Sequence, residues 1–347
     1  MSKIELAVVI GHGSIGGFHS RQLSPRYNKI GIIDINPKIH TQLIKSYPNS
    51  QVVSNITDLD KKNWNWESSV VVIATWGTNH SEIFAKLVKR GVKHIICEKP
   101  LTNSVASASK MLKLAKDNGV ALGVHHWLRY AGLVSGINKL AKKFKLGPAI
   151  SGFISGGAQG LVTNGIHFID VFSEMFGAGP KSVISSAKGD SINPRSSDLL
   201  FYGGTVVWYF GKGREVSISF TNHSSVRGSI SIFYRDAIAT LSHSLDKIKI
   251  LGRDSSQLAA YPSVTRVGIA SEILYEGEIP GVISIEEAYS VLLEEVTSGN
   301  IVVFKPELAL QAVSSCSGAL WASRKDKRVS LPLHPENDAG KMEWPFS

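Results

Sequence analysis

Two short stretches of the sequence carry side chains whose types and spacing could do chemistry. In IICEKPLT, Lys99 directly precedes a proline, which fixes its own φ and restricts the residue before it, so the lysine cation can be aimed. In TNGIHFIDVF, His167 and Asp170 stand three apart, on one face of a helix, with Thr163 and Asn164 one turn earlier. A polar stripe within an apolar helix needs partners, and a buried substrate could supply them.

Both stretches also have an interpretation that involves no ligand. Glu98 and Lys99 could form a surface pair at the start of a helix. His167 could be a core histidine that is hydrogen-bonded to Asp170. The residues alone leave both alternatives open.

A third stretch, VVIGHGSIGGFHS, could bind a nucleotide. Gly11, Gly13 and Gly16 complete a G-x-G-x-x-G pattern, with Ser14 and Ile15 between the last two glycines, and the pattern follows a predicted strand and enters a predicted helix. In that setting a pyrophosphate can lie at the helix N-terminus, where the glycines allow a tight turn and a close approach of the backbone. A glycine-rich loop without a ligand is the alternative.

The second predicted strand ends at Asp34, where a carboxylate can accept hydrogen bonds from the adenosine ribose. Strand, glycine motif, helix and acid together predict a dinucleotide site. NAD is the expected cofactor, because a carboxylate at this position repels the extra phosphate of NADP. The nearby Lys38 leaves room for NADP as well.

Composition and charge narrow the class of protein. A chain of 347 residues with 43% apolar and 19% charged residues is typical of a globular enzyme with two domains. Two cysteines form no disulfide framework, the chain opens on a strand pattern rather than a signal peptide, and no apolar run approaches the roughly 20 residues of a membrane span. These features predict a cytoplasmic protein without a membrane partner. The net charge of +10 comes from dispersed basic pairs without a nucleic-acid-binding motif, so we expect a small-molecule partner and no nucleic acid.

The elements that must position these side chains change in type along the chain. In the first third, apolar runs alternate with helical patterns and predict a doubly wound parallel sheet; the runs are 6–10, 30–35, 51–53, 70–74 and 94–97. After about residue 122, runs rich in Ser, Thr and aromatic residues predict antiparallel strands at 153–154, 181–185, 204–210, 215–220, 228–234 and 237–241. Helices are predicted at 163–176, 285–296 and 306–324. We therefore predict an α/β protein with a dinucleotide-binding domain at 1–122, a second domain at 123–334 and a polar tail at 335–347.

Five motifs, in this order and spacing, resemble those of the glucose-fructose oxidoreductase, inositol dehydrogenase and rhizopine catabolism family, usually called Gfo/Idh/MocA: VIGHGSIGGFHS, ATWGTNH, EKPL, GVHHWLRY and TNGIHFID. The Glu-Lys-Pro element followed by a histidine-bearing helix is the more specific part. The resemblance implies an N-terminal Rossmann domain followed by an α/β domain with an open, mainly antiparallel sheet, whose outer face often mediates dimers or tetramers. It also implies hydride transfer between NAD(P) and a sugar, cyclitol or related carbinol.

The resemblance further implies roles for individual residues. Lys99 would contact the reacting oxygen, His167 would act as acid or base, and Asp170 would contact or orient the substrate. Hydride leaves a carbinol carbon only as its hydroxyl loses a proton, so a base and a cation that stabilises the alkoxide suit this chemistry. Cofactor contacts are expected from the motifs after the fourth and fifth strands, namely Thr75, Trp76, His80, Glu98 and Lys99.

Two departures from the family pattern concern single positions. Many members carry Asp four residues before the histidine, where this chain has Thr163, followed by Asn164. Neither residue can replace a carboxylate as a base. Trp76 stands where the turn after the fourth strand usually has proline, and it either stacks near the nicotinamide or fills the loop.

A third departure is the motif GVHHWLRY. His125, His126 and Trp127 replace more common residues before Arg129, which indicates an unusual substrate. Arg129 could bind a carboxylate or phosphate of that substrate, or form a structural ion pair. The candidate substrate-binding residues are His126, Arg129, Thr163 and Asn164, and no metal site is expected.

Two function classes stay open. The first is an NAD(P)-dependent oxidoreductase that acts on a sugar, a cyclitol or a sugar derivative. The positive net charge of the chain favours an acidic or nucleotide-linked substrate. The second is a sensor of the same fold, which binds dinucleotide to regulate partners without catalysis. In either class we expect a homodimer or homotetramer.

Overall fold

The computed structural model describes residues 4–157, 159–190, 199–221, 223–242, 244–253, 255–260 and 271–346. The segments 191–198 and 261–270 of the predicted second domain therefore lie outside the described residues. The chain divides into two compact units that interleave along the sequence. Unit 1 comprises Met1–Tyr130, Ile285–Val313 and Lys341–Trp344, and unit 2 comprises Ala131–Ser284, Ser314–Gly340 and Pro345–Ser347.

Unit 1 contains a parallel sheet of short apolar strands: β1 Leu6–Ile10, β2 Lys29–Ile33, β3 Ser50–Val53, β4 Ser69–Ile73, β5 His94–Cys97 and β6 Ala121–Val124. The strand order is β3-β2-β1-β4-β5-β6, and each neighbouring pair runs parallel. Strand β4 is buried along its whole length, as a central strand covered on both faces must be. The chain order reverses between β1 and β4, which is where such sheets bind ligands.

The helices within unit 1 connect and cover these strands: α1 Ser14–Leu23, α2 His40–Ser46, α3 Ile56–Asp60, α4 His80–Val88, α5 Val105–Asp117 and α6 Trp127–Tyr130. A later helix, Ile285–Ser298, also belongs to unit 1 and packs on β5, β6 and α6. Gly123 in β6 makes this packing close, because a Cβ there would lie 2.4 Å from the side chain of Val296.

Unit 2 is built on a large sheet with the strands β7 Ser151–Gly157, β8 Ser182–Ser185, β9 Lys188–Asp190, β10 Phe201–Gly211, β11 Arg214–Thr221, β12 Ser229–Phe233, β13 Ala237–Leu241, β14 Lys247–Gly252, β15 Glu272–Glu278 and β16 Val329–Ser330. The order is β15-β14-β13-β12-β7-β11-β10-β8-β16, with β9 paired to β10. The recorded pairs are antiparallel except for β7 with β11, which run parallel.

The helices of unit 2 are α7 Leu133–Lys143, α8 Gly165–Phe176 and α9 Ser255–Ala260. The unit 1 helix Ile285–Ser298 is α10 in chain order. The last two helices, α11 Pro306–Lys325 and α12 Asp338–Lys341, each have residues in both units. Helix α8 packs on the sheet at β11. Its Phe172 lies against β7 so closely that a Cβ on Gly152 would be 2.1 Å from the ring. In the part of the chain that the structure describes, no helix is long and apolar enough to cross a membrane.

The predicted α/β fold is confirmed, with the parallel sheet first and the mainly antiparallel sheet second. Strands β6, β9, β14, β15 and β16 were not predicted, and the pairing of β7 with β11 is parallel rather than antiparallel. The compact units differ from the contiguous segments 1–122 and 123–334, since α10 returns to unit 1. The predicted domain boundaries stay a prediction.

Candidate functional site

The glycine loop joins the end of β1 to the start of α1. Gly11 has a φ of +88°, and its N–H donates to the carbonyl oxygen of Ile33 at 2.8 Å. A Cβ at Gly11 would lie 2.8 Å from the carbonyl oxygen of Ala74. Both the left-handed backbone and the close approach therefore require glycine here.

The other two glycines of the motif meet opposite surroundings. A Cβ on Gly16 would lie 1.9 Å from the carbonyl oxygen of Gly11, so this glycine lets α1 pack directly on the loop. Gly13, the N-cap residue of α1, is exposed, and a Cβ there would meet nothing within 4 Å. The exposed Ser14 and Ile15 begin the first turn, whose backbone N–H groups can bind an anion that lies over Gly13.

Asp34 follows β2 beside this loop. One carboxylate oxygen accepts the N–H of His12 at 2.7 Å, and the other accepts the N–H of Asn36 at 2.8 Å. These bonds orient the carboxylate and use about half of its roughly four acceptor sites. The remaining sites suit the two hydroxyl groups of a ribose, as the sequence predicts.

The loop after β4 carries the predicted residues Thr75, Trp76 and His80. The Thr75 hydroxyl is buried and has no hydrogen-bond partner among the described residues, which fits a polar group of a bound cofactor. Trp76 is half-buried. These observations and the glycine loop show a donor set that fits a nicotinamide dinucleotide.

His80 is fully buried at the start of α4 and binds main-chain atoms. Its Nε2 lies 3.1 Å from the carbonyl oxygen of Thr75, and its Nδ1 lies 3.1 Å from that of Pro100 and 3.2 Å from that of Leu101. Burial lowers the pKa of His80, although these hydrogen bonds act in the opposite direction. The side chain therefore ties the loop after β4 to the loop after β5, and its predicted cofactor contact stays a prediction.

Glu98 and Lys99 follow β5. Glu98 is buried, and one of its oxygens lies 2.8 Å from Nε2 of His19 and 2.7 Å from Nδ1 of His125. The other oxygen accepts the N–H of Lys99 at 3.2 Å, and Lys99 itself is half-buried. The alternative in which Glu98 and Lys99 form a surface pair is therefore wrong, because Glu98 is buried.

The sequence interpretation missed His19 and His125 as partners of Glu98. His19 lies in α1, three residues after the glycine motif, and His125 directly follows β6. The register of β5 and β6 pairs Cys97 with Val124, so the next residue on each strand comes side by side. Because β6 was not predicted, no pair of predicted strand ends indicated this contact.

Among the residues that the structure describes, His19, Glu98 and His125 form the one group with donor atoms suited to a metal, all within 4.8 Å of one another. The expectation of no metal site stays a prediction. The carboxylate-to-ring distances of 2.7 and 2.8 Å are those of direct hydrogen bonds. Ligands around a tetrahedral zinc would be about 3.3 Å apart, given bonds of about 2.0 Å.

In unit 2, the predicted residues lie at and within α8. The helix begins at Gly165 rather than at 163, because Asn164 is the N-cap residue and Thr163 lies in the preceding turn. His167 and Asp170 are both buried in this helix, with exposed fractions of 9% and 4%. They are polar groups in a helix whose other residues from Gly165 to Ser173 are also buried, as the sequence pattern predicts.

The predicted substrate residues His126 and Arg129 both contact Phe304, a residue that was not predicted. The rings of His126 and Phe304 stack at 4.3 Å between centroids, and the Arg129 guanidinium lies 5.4 Å from the same ring. A cation–π contact of this kind helps to orient the arginine. The roles of both residues in substrate binding stay predictions.

A doubly wound parallel sheet with a glycine loop after its first strand and a carboxylate after its second defines a dinucleotide-binding protein. Residues 6–126 match the model of the oxidoreductase family with the NAD-binding Rossmann fold, GFO_IDH_MocA. This match covers about a third of the chain and agrees with the family that the motifs resemble.

Three comparisons place the chain among known proteins. It is 27% identical over 192 residues to "Uncharacterized oxidoreductase C115.03" of Schizosaccharomyces pombe, and this match covers 50% of each protein. It is 33% identical over 130 residues to an inositol 2-dehydrogenase of Mycolicibacterium smegmatis, covering 35% of each. The chain thus matches about half the length, or less, of these curated relatives. A structure of levoglucosan dehydrogenase in complex with NADH and levoglucosan has the same fold, with a TM-score of 0.70 at 17% identity over 95% of this chain and 100% of the other.

Proposed function

We propose that the protein is an NAD(P)-dependent oxidoreductase that transfers hydride between the nicotinamide and a carbinol or carbonyl group of a sugar, cyclitol or sugar derivative. The main support is the loop of Gly11, Gly13 and Gly16 with Asp34 fixed beside it, in a unit that matches an NAD-binding oxidoreductase family. NAD is the preferred cofactor, because the carboxylate of Asp34 binds the ribose diol and repels a phosphate at the same place.

The catalytic roles are assigned to three side chains. When bound, the nicotinamide accepts hydride in oxidation and donates it in reduction. His167 takes the proton of the substrate hydroxyl in oxidation, and Lys99 stabilises the negative charge that develops on the oxygen. Asp170 orients His167 or the substrate. Thr75, Trp76 and Glu98 contribute to cofactor binding.

The substrate class follows from the basic balance of the chain. The net charge of +10 attracts anions, and Arg129 has the geometry to bind a carboxylate or phosphate. His126, Thr163 and Asn164 complete the substrate contacts. We therefore favour an acidic or nucleotide-linked sugar.

The outer face of the unit 2 sheet supports a homodimer or homotetramer. Phe153, Phe233 and Ile184 are exposed by 42%, 40% and 36%, and the strand register places them on one face. The residues on either side of Phe153 and Phe233 are buried, as is Val183 before Ile184. An open sheet with exposed apolar side chains is a surface that a second copy of the chain can cover.

A sensor that binds dinucleotide without catalysis is the second candidate. Its support is Thr163, which stands where many family members carry Asp and lies in a turn ahead of α8. One experiment separates the two candidates: the purified protein is incubated with NAD⁺ or NADP⁺ and a panel of neutral, acidic and nucleotide-linked sugars, and absorbance at the NADH band is followed. We expect turnover with at least one acidic or nucleotide-linked sugar. Cofactor binding without turnover across the panel would favour the sensor.

A further inference from the structure

Lys99 stands between two residues that buried histidines hold in place. On its N-terminal side, Glu98 contacts His19 and His125. On its C-terminal side, the carbonyl oxygen of Pro100 contacts the ring of His80. The half-buried lysine is thus attached to a short segment with fixed ends.

Glu98 is fixed through both its backbone and its side chain. Its N–H donates to the carbonyl oxygen of Ile73 at 2.9 Å, which continues the pairing of β4 and β5. One carboxylate oxygen lies within 2.8 Å of ring nitrogens of both histidines, and the other accepts the N–H of Lys99. The carboxylate therefore links α1, the end of β6 and the backbone of Lys99.

The hydrogen-bond chemistry defines which ring nitrogen each histidine uses. An ionised carboxylate can only accept, so His19 must present Nε2–H and His125 must present Nδ1–H. Burial lowers the pKa of His19, although the hydrogen bond and the charge of Glu98 act in the opposite direction. Burial raises the pKa of Glu98, but the charge and hydrogen bonds of His125 and His19 outweigh burial and hold it well below the ordinary value.

Aromatic rings enclose the cluster. Phe18 stacks on His125 at 5.8 Å, and Tyr289 of α10 lies 5.1 Å from His19 and 5.6 Å from His125, measured between ring centroids. With His19 0%, Glu98 4% and His125 3% exposed, water cannot replace a lost ring N–H. A carboxylate that lost one donor would have to move to find another, and Lys99 would move with it.

We propose that His19 and His125 are positioning residues, which clamp Glu98 and thereby hold Lys99 in its reactive position. This inference rests on the proposed function for the importance of Lys99, whereas the clamp itself rests on the geometry. The histidines do not touch the reacting atoms. They act through Glu98.

The two histidines use different nitrogens, and this difference provides a matched test. The amide nitrogen of Asn occupies the position of histidine Nδ1, and that of Gln occupies the position of Nε2, counted in bonds from Cβ. His125→Asn and His19→Gln therefore keep the donor to Glu98. His125→Gln and His19→Asn keep a polar side chain of similar size but move the donor away.

The experiment measures two quantities on each variant, below its own melting midpoint. The first is kcat with the substrate found in the panel. The second is the labelling rate of Lys99 by an amine-reactive reagent, read by mass spectrometry relative to the exposed Lys89. Labelling needs no turnover, so it tests the clamp even if the proposed function fails. Tyr289→Phe is the control, because its hydroxyl has no partner among the described residues and its ring stays in place.

We expect Asn to preserve function better than Gln at position 125, and Gln to preserve it better than Asn at position 19. The matched variants should keep kcat within about threefold, and the mismatched variants should lose about tenfold or more, as small misplacements of catalytic groups do. Lys99 labelling should change by about threefold or more in the mismatched variants alone, because the amine enters a different environment. If Asn and Gln rank the same way at both sites, or labelling stays constant throughout, the clamp is refuted. Each site gives an independent comparison, so a variant that fails to fold at one site leaves the other to decide.

Discussion

The backbone N–H of His12 donates a 2.7 Å hydrogen bond to the carboxylate of Asp34. The second residue of the glycine motif thus holds the acid that follows β2. The proposed phosphate-binding loop and the proposed ribose-binding carboxylate are therefore linked directly, since a change in Asp34 also removes the acceptor for the backbone between Gly11 and Gly13.

Asp34→Ala should narrow the difference in affinity between NAD(H) and NADP(H). The substitution removes the ribose contact, which weakens NAD(H) binding, and removes the repulsion of the NADP phosphate. Isothermal titration of the parent and the variant with both cofactors measures the effect. Lys38→Ala is the matched control, since it should weaken NADP(H) alone. A parent protein that binds both cofactors equally contradicts the prediction.

Gly13→Ala and Gly16→Ala should separate cofactor affinity from stability. A Cβ at Gly16 would overlap the carbonyl oxygen of Gly11, so Gly16→Ala should lower the free energy of unfolding by about 1–3 kcal/mol. A Cβ at Gly13 meets no protein atom, so Gly13→Ala should leave stability nearly unchanged and lower NAD affinity by about tenfold. Urea titrations and cofactor titrations on both variants provide the comparison. Equal effects of the two substitutions on stability would show that the loop is packed differently.

Lys99→Ala and His167→Ala should each lower kcat by about 100-fold or more, in the range of general acid–base and electrostatic catalysis. Cofactor affinity should change little in His167→Ala. The rise of kcat/KM with pH for oxidation should follow one group in the range of histidine, for which the ordinary pKa is about 6.5. That limb should disappear in His167→Ala. If it persists, another group takes the proton, and His126 or Lys99 is the next candidate.

The folded protein should lose stability in mild acid. Burial lowers the pKa of His19 and His80 below the ordinary 6.5, so the unfolded chain binds protons at these rings more readily. Their contribution to stability is present above about pH 6.5 and is lost as the pH falls below it. The lowered pKa of Glu98 adds a loss of the same sign below 4.5. Melting midpoints between pH 8 and 4 test this, and His19→Gln should flatten the curve. A midpoint that rises from pH 7 to 5 would be inconsistent with neutral buried rings.

Phe153→Glu and Phe233→Glu should convert the expected oligomer to smaller species. Each places a carboxylate on the face of the unit 2 sheet that carries Phe153, Phe233 and Ile184, and burying it in an interface costs several kcal/mol. Light scattering after size exclusion measures the mass. Val302→Glu is the control, since Val302 is 59% exposed and belongs to unit 1 rather than to the unit 2 sheet. A monomeric parent at micromolar concentration contradicts the proposal.

The sequence predicts those elements that have a simple hydrophobic pattern. Strands β1 and β5 match their predicted bounds because continuous apolar runs end at clear breaks. Strand β6 was missed because its short run contains Gly123, which a strand pattern disfavours and which α10 requires. Strand β15 was missed because three of its seven residues are glutamates and none of the seven is buried.

The candidate site also contains a part that the sequence predicts and a part that it does not. The glycine loop and Asp34 are close in sequence, so local spacing predicts their meeting. His19, Glu98 and His125 come from three separate elements, and only sheet register and helix packing bring them together. Thr163 and Asn164 were placed in α8 because polar residues before an apolar helix resemble its first turn, whereas Asn164 is the cap.

Helix α10 determines when unit 1 can complete its folding during synthesis. The ribosome releases β1 to β6 long before it synthesises Ile285–Ser298, so the nascent first unit lacks the cover of Gly123 and the ring of Tyr289 over the buried histidines. Until then, Tyr289 does not cover His19 and His125, and the surface of β5 and β6 on which α10 packs stays uncovered. A chain that ends before α10 leaves this surface bare and is a natural client for chaperones.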